Sequence, residues 1–114
     1  MDELEEITEK LKKLESVKIA ILFGSHAKGK PRPDSDIDIC VIAENDDALS
    51  LSSKKIDISL FDRLPVVVKY HVFRDGKILF CKDEILLTKT KFWALTHYLD
   101  EKYWRDKATA KVLS

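Results

Sequence analysis

The sequence predicts an α+β domain, and three observations carry that expectation. Four short apolar runs, at 18–23, 36–42, 55–61 and 77–81, have the length and composition of strands. Longer segments at the two ends, 2–15 and 84–106, repeat apolar residues at helical spacing. The 114 residues, 45% hydrophobic and 35% charged, fit a single globular domain over 1–114 with one core.

The elements follow in order. Leu4, Ile7, Leu11 and Leu14 recur at spacings of three and four, which places one apolar stripe on a helix over 2–15. KIAILF, 18–23, is short, apolar and rich in Ile, the pattern of a buried strand. GSHAKGKPRPDS, 24–35, holds two of the three glycines and two of the three prolines and reads as a loop. DIDICVI, 36–42, alternates carboxylate with apolar side chain and then turns wholly apolar, as a strand entering a core does. AENDDALSLSS is a polar connection with room for a helical turn. KIDISLF, 55–61, puts Ile56, Ile58 and Leu60 on one strand face.

Residues 63–74 pull two ways, because VVV favours a strand. Asp62 as a cap and the spacing of Leu64, Val67, Val68, Tyr70 and His71 favour a helix, and the helix is the expectation here. Asp75-Gly76 signals a turn into the strand KILFC. Over 84–106, Leu87, Phe92, Leu95, Leu99 and Tyr103 fall on one side of a helix and are expected to face the core. Trp93, His97 and Trp104 form a second stripe, read as a widening of the first, with a partner surface as the alternative.

Twenty basic residues balance twenty acidic ones, which argues against a nucleic-acid binder. No run approaches the roughly 20 apolar residues of a membrane span. The acidic start MDELEEITEKLKKLE lacks the apolar stretch of a secretory signal. Cys40 and Cys81 form no C-x-x-C pair and read as reduced core thiols, so a cytoplasmic protein is expected.

Residues 24–30, GSHAKGK, match the phosphate-binding loop G-x-x-x-x-G-K, but Pro31 stands where the magnesium-binding Ser or Thr belongs. Proline also lacks the backbone N–H that such a loop directs at phosphate. DSDID opens like a calcium loop, yet counting from Asp34 the required Gly and Glu positions hold Ile39 and Asn45. Both readings fail.

What survives is a combination. Gly24-Ser25 directly follows an apolar strand, and ten residues later Asp36-Ile37-Asp38 opens the next. Residues two apart in a strand point the same way, about 6–7 Å apart. Asp36 and Asp38 therefore project together, and two adjacent carboxylates repel unless a cation lies between them. Mg²⁺ suits carboxylates plus substrate phosphates. Asp57 interrupts the following strand between two isoleucines, a costly position for an unpartnered charge. With its strand beside the other, it joins Asp36 and Asp38 around metal. Backbone N–H groups at Gly24 and Ser25, and the Ser25 hydroxyl, can hold phosphate oxygens.

Residues 22–42, LFGSHAKGKPRPDSDIDICVI, resemble the signature of the minimal nucleotidyltransferases of the DNA polymerase β superfamily: Gly-Ser, ten residues, Asp-x-Asp. The likeness extends through Asp57, the D-G-K-I-L-F turn and strand, and the final helix. It implies a small mixed, largely antiparallel sheet flanked by helices. It also implies that Gly24, Ser25 and Lys28 grip the triphosphate, that Asp36 and Asp38 bind both metals, and that Asp57 binds the catalytic metal and helps deprotonate the acceptor hydroxyl. Many relatives carry Arg directly after Gly-Ser and again two residues later, where this chain has His26 and Lys28.

The function so implied is Mg²⁺-dependent transfer of a nucleoside monophosphate, AMP from ATP above all, to an acceptor hydroxyl. The chain has little room for an acceptor-binding domain. Small relatives often act with a HEPN-type partner, a toxin ribonuclease that they silence by adenylylation, and the resemblance implies that setting. The alternative is a non-catalytic module that neutralises a partner by contact. A small-molecule acceptor and a homodimer stay open. His71 and His97 read as structural or exposed rather than catalytic.

Overall fold

The computed structural model describes residues 2–24 and 36–113, with side chains up to residue 107. Helix α1, Glu3–Lys13, is followed by β1, Val17–Phe23, and β2, Ile37–Ala43. A 3₁₀ turn at Asp47–Leu51 leads to β3, Ile56–Leu60, and a second at Phe61–Arg63 leads to α2, Val66–Asp75. The chain closes with β4, Lys77–Cys81, and α3, Glu84–Leu113. The expected α+β class holds, and so does the helix over most of 63–74.

The four strands form one sheet in the order β3-β2-β1-β4. β1 runs antiparallel to both β2 and β4, whereas β2 and β3 are parallel. This is the mixed, largely antiparallel sheet that the resemblance implied.

Alternation along the strands makes two cores. On one face Ala20, Leu22, Ile37, Ile39, Val41 and Ile58 pack with Ile7 and Leu11 of α1. A bulge between Val17 and Ile19 turns Val17 to that face as well. On the other face Ile19, Ile21 and Cys40 pack with Phe61, Val72 of α2, and Leu87 and Ala94 of α3. Leu11 is wholly buried, so its truncation to Ala falls in the range of about 2–5 kcal/mol typical of such cores.

The helices begin where the chemistry favours it. The Asp2 carboxylate accepts from the Glu5 N–H at 2.8 Å, with Glu3, Glu5 and Glu6 in the first turn and Lys10, Lys12 and Lys13 in the last. Asp83 accepts from the Leu86 N–H at 3.0 Å ahead of α3. Asp62 does not cap α2: it lies in the preceding 3₁₀ turn, and Pro65 stands at the cap without a side-chain bond. Proline suits that end of a helix because the N–H it lacks would have no intrahelical partner. The face that α2 buries centres on Val72 and Lys69, with Leu64 and Val68 packed beside it. The Lys69 stem is covered, and its ammonium lies 4.4 Å from the Trp93 ring centre and 5.3 Å from that of Phe61.

The stripe expected to turn α3 towards the core is overturned. Phe92, Leu95, Leu99 and Tyr103 are 69%, 44%, 52% and 55% exposed. Leu87 and Ala94, seven residues apart, make the buried line instead. The small Ala94 side chain suits the close approach of α3 to the body. Trp93 and Trp104 are exposed too, with Trp93 stacked on His97 at 3.9 Å. Among the described residues no helix is long and apolar enough to cross a membrane.

Both thiols are free, Cys40 buried and Cys81 half-buried. Burial first, and the Asp62 charge second, push the Cys40 thiol up to about 12, against a smaller opposing pull from Lys69. An unfolded chain releases that proton from about pH 8.5 upward, whereas the folded chain holds it. The folded state therefore binds more protons in between, and its stability should fall as pH rises from about 9 towards 12. At pH 8 a thiol reagent should label Cys81 readily and Cys40 only at the rate of unfolding. Equal labelling of the two in the native protein would contradict the buried placement.

Candidate functional site

The site grows from the strand registers. Phe23, the last residue of β1, pairs with Asp38 of β2. Asp38 in turn pairs with Asp57 across the parallel β2–β3 ladder. Registered side chains on neighbouring strands share a face, and such strands lie about 4.8 Å apart. Two carboxylates therefore stand side by side at one end of the sheet, on the face covered further along by α2 and α3. The isoleucines on either side of each, Ile37 and Ile39, Ile56 and Ile58, point the other way into the α1 core. The alternation that fills that core also aims both acids at the opposite face. Asp57 is exposed and Asp38 half-buried.

Gly24 completes the corner. Its φ is +77°, the left-handed region that glycine enters at least cost. A Cβ built on it would lie 2.5 Å from Asp38 Oδ2 and 3.3 Å from Asp38 Cγ. The missing side chain is thus the space that the Asp38 carboxylate uses, and the chain turns out of β1 in direct contact with that acid.

Asp36 stands one residue ahead of β2 and is exposed. The next N–H, that of Ile37, donates to the Lys55 carbonyl at 2.7 Å and locks the entrances of β2 and β3 together. Among the described residues, no three His, Cys, Asp or Glu side chains stand close enough to enclose a metal ion. The structure thus brings together Gly24, Asp38 and Asp57, and leaves Asp36 at the edge of the group. Ser25 and Lys28 lie outside the described residues, as does His26.

The corner can still accept a hard cation on its chemistry. Two adjacent carboxylates offer oxygen ligands and gain from a charge between them. The glycine beside them leaves the space that the Asp38 carboxylate fills.

A hollow of about 420 Å³ between α1 and residues 51–56 does not include these acids. A smaller one, about 250 Å³, opens beside Gly24 and is lined by Phe23, Gly24, Val68, His71, Val72 and Asp75. His71, read from the sequence as structural or exposed, and Asp75, read as part of a turn, both line this hollow. The helical spacing of 71 and 75 was visible, but their nearness to Gly24 depends on how α2 docks on β1.

Residues 5–85 match the family model described as polymerase beta, nucleotidyltransferase. A protein of Methanocaldococcus jannaschii, named as a candidate protein adenylyltransferase, is 33% identical over 90 residues, which cover 75% of this chain and 68% of that relative. A crystal structure of a toxin–antitoxin with AMP-PNP is similar with a TM-score of 0.75 at 21% identity, over 96% of this chain and 98% of that one. A structure of a tri-AMPylated Shewanella oneidensis HEPN toxin in complex with MNT antitoxin gives a TM-score of 0.67 at 18% identity, over 96% and 98% of the two chains. At those identities the structural likeness shows the fold.

Proposed function

This chain belongs to the polymerase β nucleotidyltransferase family, and from that premise we propose that it transfers AMP from ATP to a hydroxyl of a HEPN-type partner protein in the cytoplasm. The observation that carries the reading is the register pairing of Asp38 with Asp57 beside a glycine whose missing Cβ makes room for Asp38. The name of the Methanocaldococcus jannaschii relative supports protein as the acceptor, and the toxin–antitoxin complexes of similar fold support the partner.

The chain's own groups divide the work. Backbone at Gly24, with Ser25 and Lys28, binds the triphosphate. Asp38 and Asp57, with Asp36 at their edge, would hold Mg²⁺, which when bound neutralises charge at the phosphates and on the departing pyrophosphate. Asp57 stands at the outer strand, where an incoming protein side chain has access. Its carboxylate takes the proton of the acceptor hydroxyl as that oxygen attacks the α-phosphorus. The new O–P bond forms while the bond from the α-phosphorus to the bridging oxygen breaks, and pyrophosphate leaves with that electron pair. Positioning and electrostatics supply most of the acceleration in such a transfer.

The test is to incubate the protein with α-labelled ATP, Mg²⁺ and its neighbouring gene product as the proposed partner. Label should appear on the partner, and an Asp36→Ala/Asp38→Ala double variant should lose it. A second reading draws on the exposed apolar residues of α3, which fit a module that neutralises a partner by contact alone. Inhibition of the partner without label, undiminished in the double variant, would decide for that reading.

A further inference from the structure

We propose that the concavity beside Gly24 receives the base of the nucleotide, and that Asp75 selects bases carrying an exocyclic amino group, adenine among them. The inference rests on the nucleotidyltransferase reading and deepens it by assigning the base subsite to α2.

The carrying juxtaposition is that Gly24 belongs to two places at once. On one side its backbone touches the Asp38 carboxylate, and on the other it forms the rim of the hollow. A ligand lying across Gly24 therefore meets the acids and the hollow together. The walls of the hollow are Phe23, Val68 and Val72, which repel phosphate and suit a flat ring. At about 250 Å³ it is on the scale of one nucleobase.

Two polar groups face it from consecutive turns of α2. His71 Nδ1 lies 3.8 Å from Asp75 Oδ2, with side chains 44% and 35% exposed and so open to a ligand. The other Asp75 oxygen, Oδ1, lies 3.8 Å from Arg74 Nε. At those separations neither neighbour forms a direct hydrogen bond with the carboxylate, which keeps its acceptor oxygens for a ligand. An ionised carboxylate only accepts hydrogen bonds, so it favours a base edge that donates. At the 6-position, on the side of N7, the amino group of adenine donates and hypoxanthine presents a carbonyl; hypoxanthine donates only from N1–H, so Asp75 is placed on the N7 side of the base.

The wall is held rigidly. A Cβ at Gly76, next to Asp75, would run into the Val72 carbonyl oxygen and lie 2.8 Å from Ile21 Cγ2, so the end of α2 is seated hard on β1. The His71 ring is braced by edge contacts to Tyr70 at 5.3 Å and Tyr98 at 6.4 Å, which themselves stack at 3.9 Å. The distance from Gly24 to the His71–Asp75 pair is therefore set by packing.

ATP and ITP separate this proposal from its rivals, since they differ at the 6-position of the base. Binding of each with Mg²⁺ is measured by calorimetry, and transfer to the partner by kcat/KM, for the native chain and for Asp75→Asn and Asp75→Ala. The native protein should favour ATP by roughly 10- to 100-fold, the worth of one hydrogen bond to a charged acceptor. That ratio should approach one in Asp75→Ala, and fall in Asp75→Asn, whose amide offers both a donor and an acceptor and keeps the side-chain shape. An equal loss of ATP and ITP would place the pair on the phosphates and overturn the proposal, as would a native ratio at or below one. A ratio unmoved by the variants would make the pair a purely structural feature of α2. Because binding is read separately, discrimination without transfer would sink the enzyme reading and leave the base subsite standing.

Discussion

Asp57→Asn should all but abolish transfer while leaving the fold as stable as before or more stable. The two effects have one cause. Asp57 and Asp38 are register partners on parallel strands about 4.8 Å apart, so two side chains of like charge share one face there. Like charges on opposed positions of a sheet are destabilising, and the amide removes that cost without changing the side-chain shape. The same change deletes the group proposed to take the acceptor's proton, and general-base losses run to roughly 10²–10⁴-fold. Thermal unfolding in the absence of metal and the rate of label transfer measure the two effects. Transfer retained within about tenfold would remove Asp57 from the proposed machinery. A marked drop in melting temperature would mean that the carboxylate supports the sheet rather than straining it.

Gly24→Ala should damage both properties. The added methyl would sit 2.5 Å from Asp38 Oδ2, so either the carboxylate or the turn has to move. The backbone at φ +77° adds about 1–2 kcal/mol for any residue with a Cβ. For a domain near this size that is a fall of several degrees in melting temperature, at roughly 4 °C or more per kcal/mol. Displacing the acid by about 1 Å is enough to cost on the order of 10²-fold in rate. The contrast with Asp57→Asn is the informative part: one substitution lowers activity alone, the other lowers activity and stability together. An alanine variant that melts and transfers like the native chain would show that Gly24 and Asp38 do not share this corner.

Much of this corner is legible in the residues alone. Gly-Ser followed after ten residues by Asp-x-Asp sets a turn and two acids at the joint between two apolar runs. The isoleucines flanking Asp57 announce a strand whose acid must leave the core. Ile37, Ile39, Ile56 and Ile58 bury themselves on one face, and period-two alternation obliges their neighbours to take the other. These are local rules, and local rules can be read along a chain.

Other features depend on which segments meet. The apolar spacing of α3 marks a helix, but periodicity does not say which of its faces finds a neighbour. Leu87 and Ala94 meet α2 and the sheet, and Phe92, Leu95, Leu99 and Tyr103 are left facing out. Lys69 is charged in the sequence and buried in the fold because Trp93 and Phe61 come from other elements to cover its stem. His71 looked incidental until the docking of α2 on β1 set it beside Gly24.

By itself, then, the sequence determined the elements, the outward aim of the acids and the glycine turn, since each follows from steric and hydrophobic preferences acting over a few residues. Only the tertiary structure decided that Asp57 is the partner of Asp38, that Gly24 has no room for a side chain, and that a lined hollow opens next to both. Those outcomes rest on the register between strands 19 residues apart in sequence at that pair and on the packing of a helix from further along still. Such contacts are chosen by the burial of whole faces, a quantity that no single stretch of sequence contains.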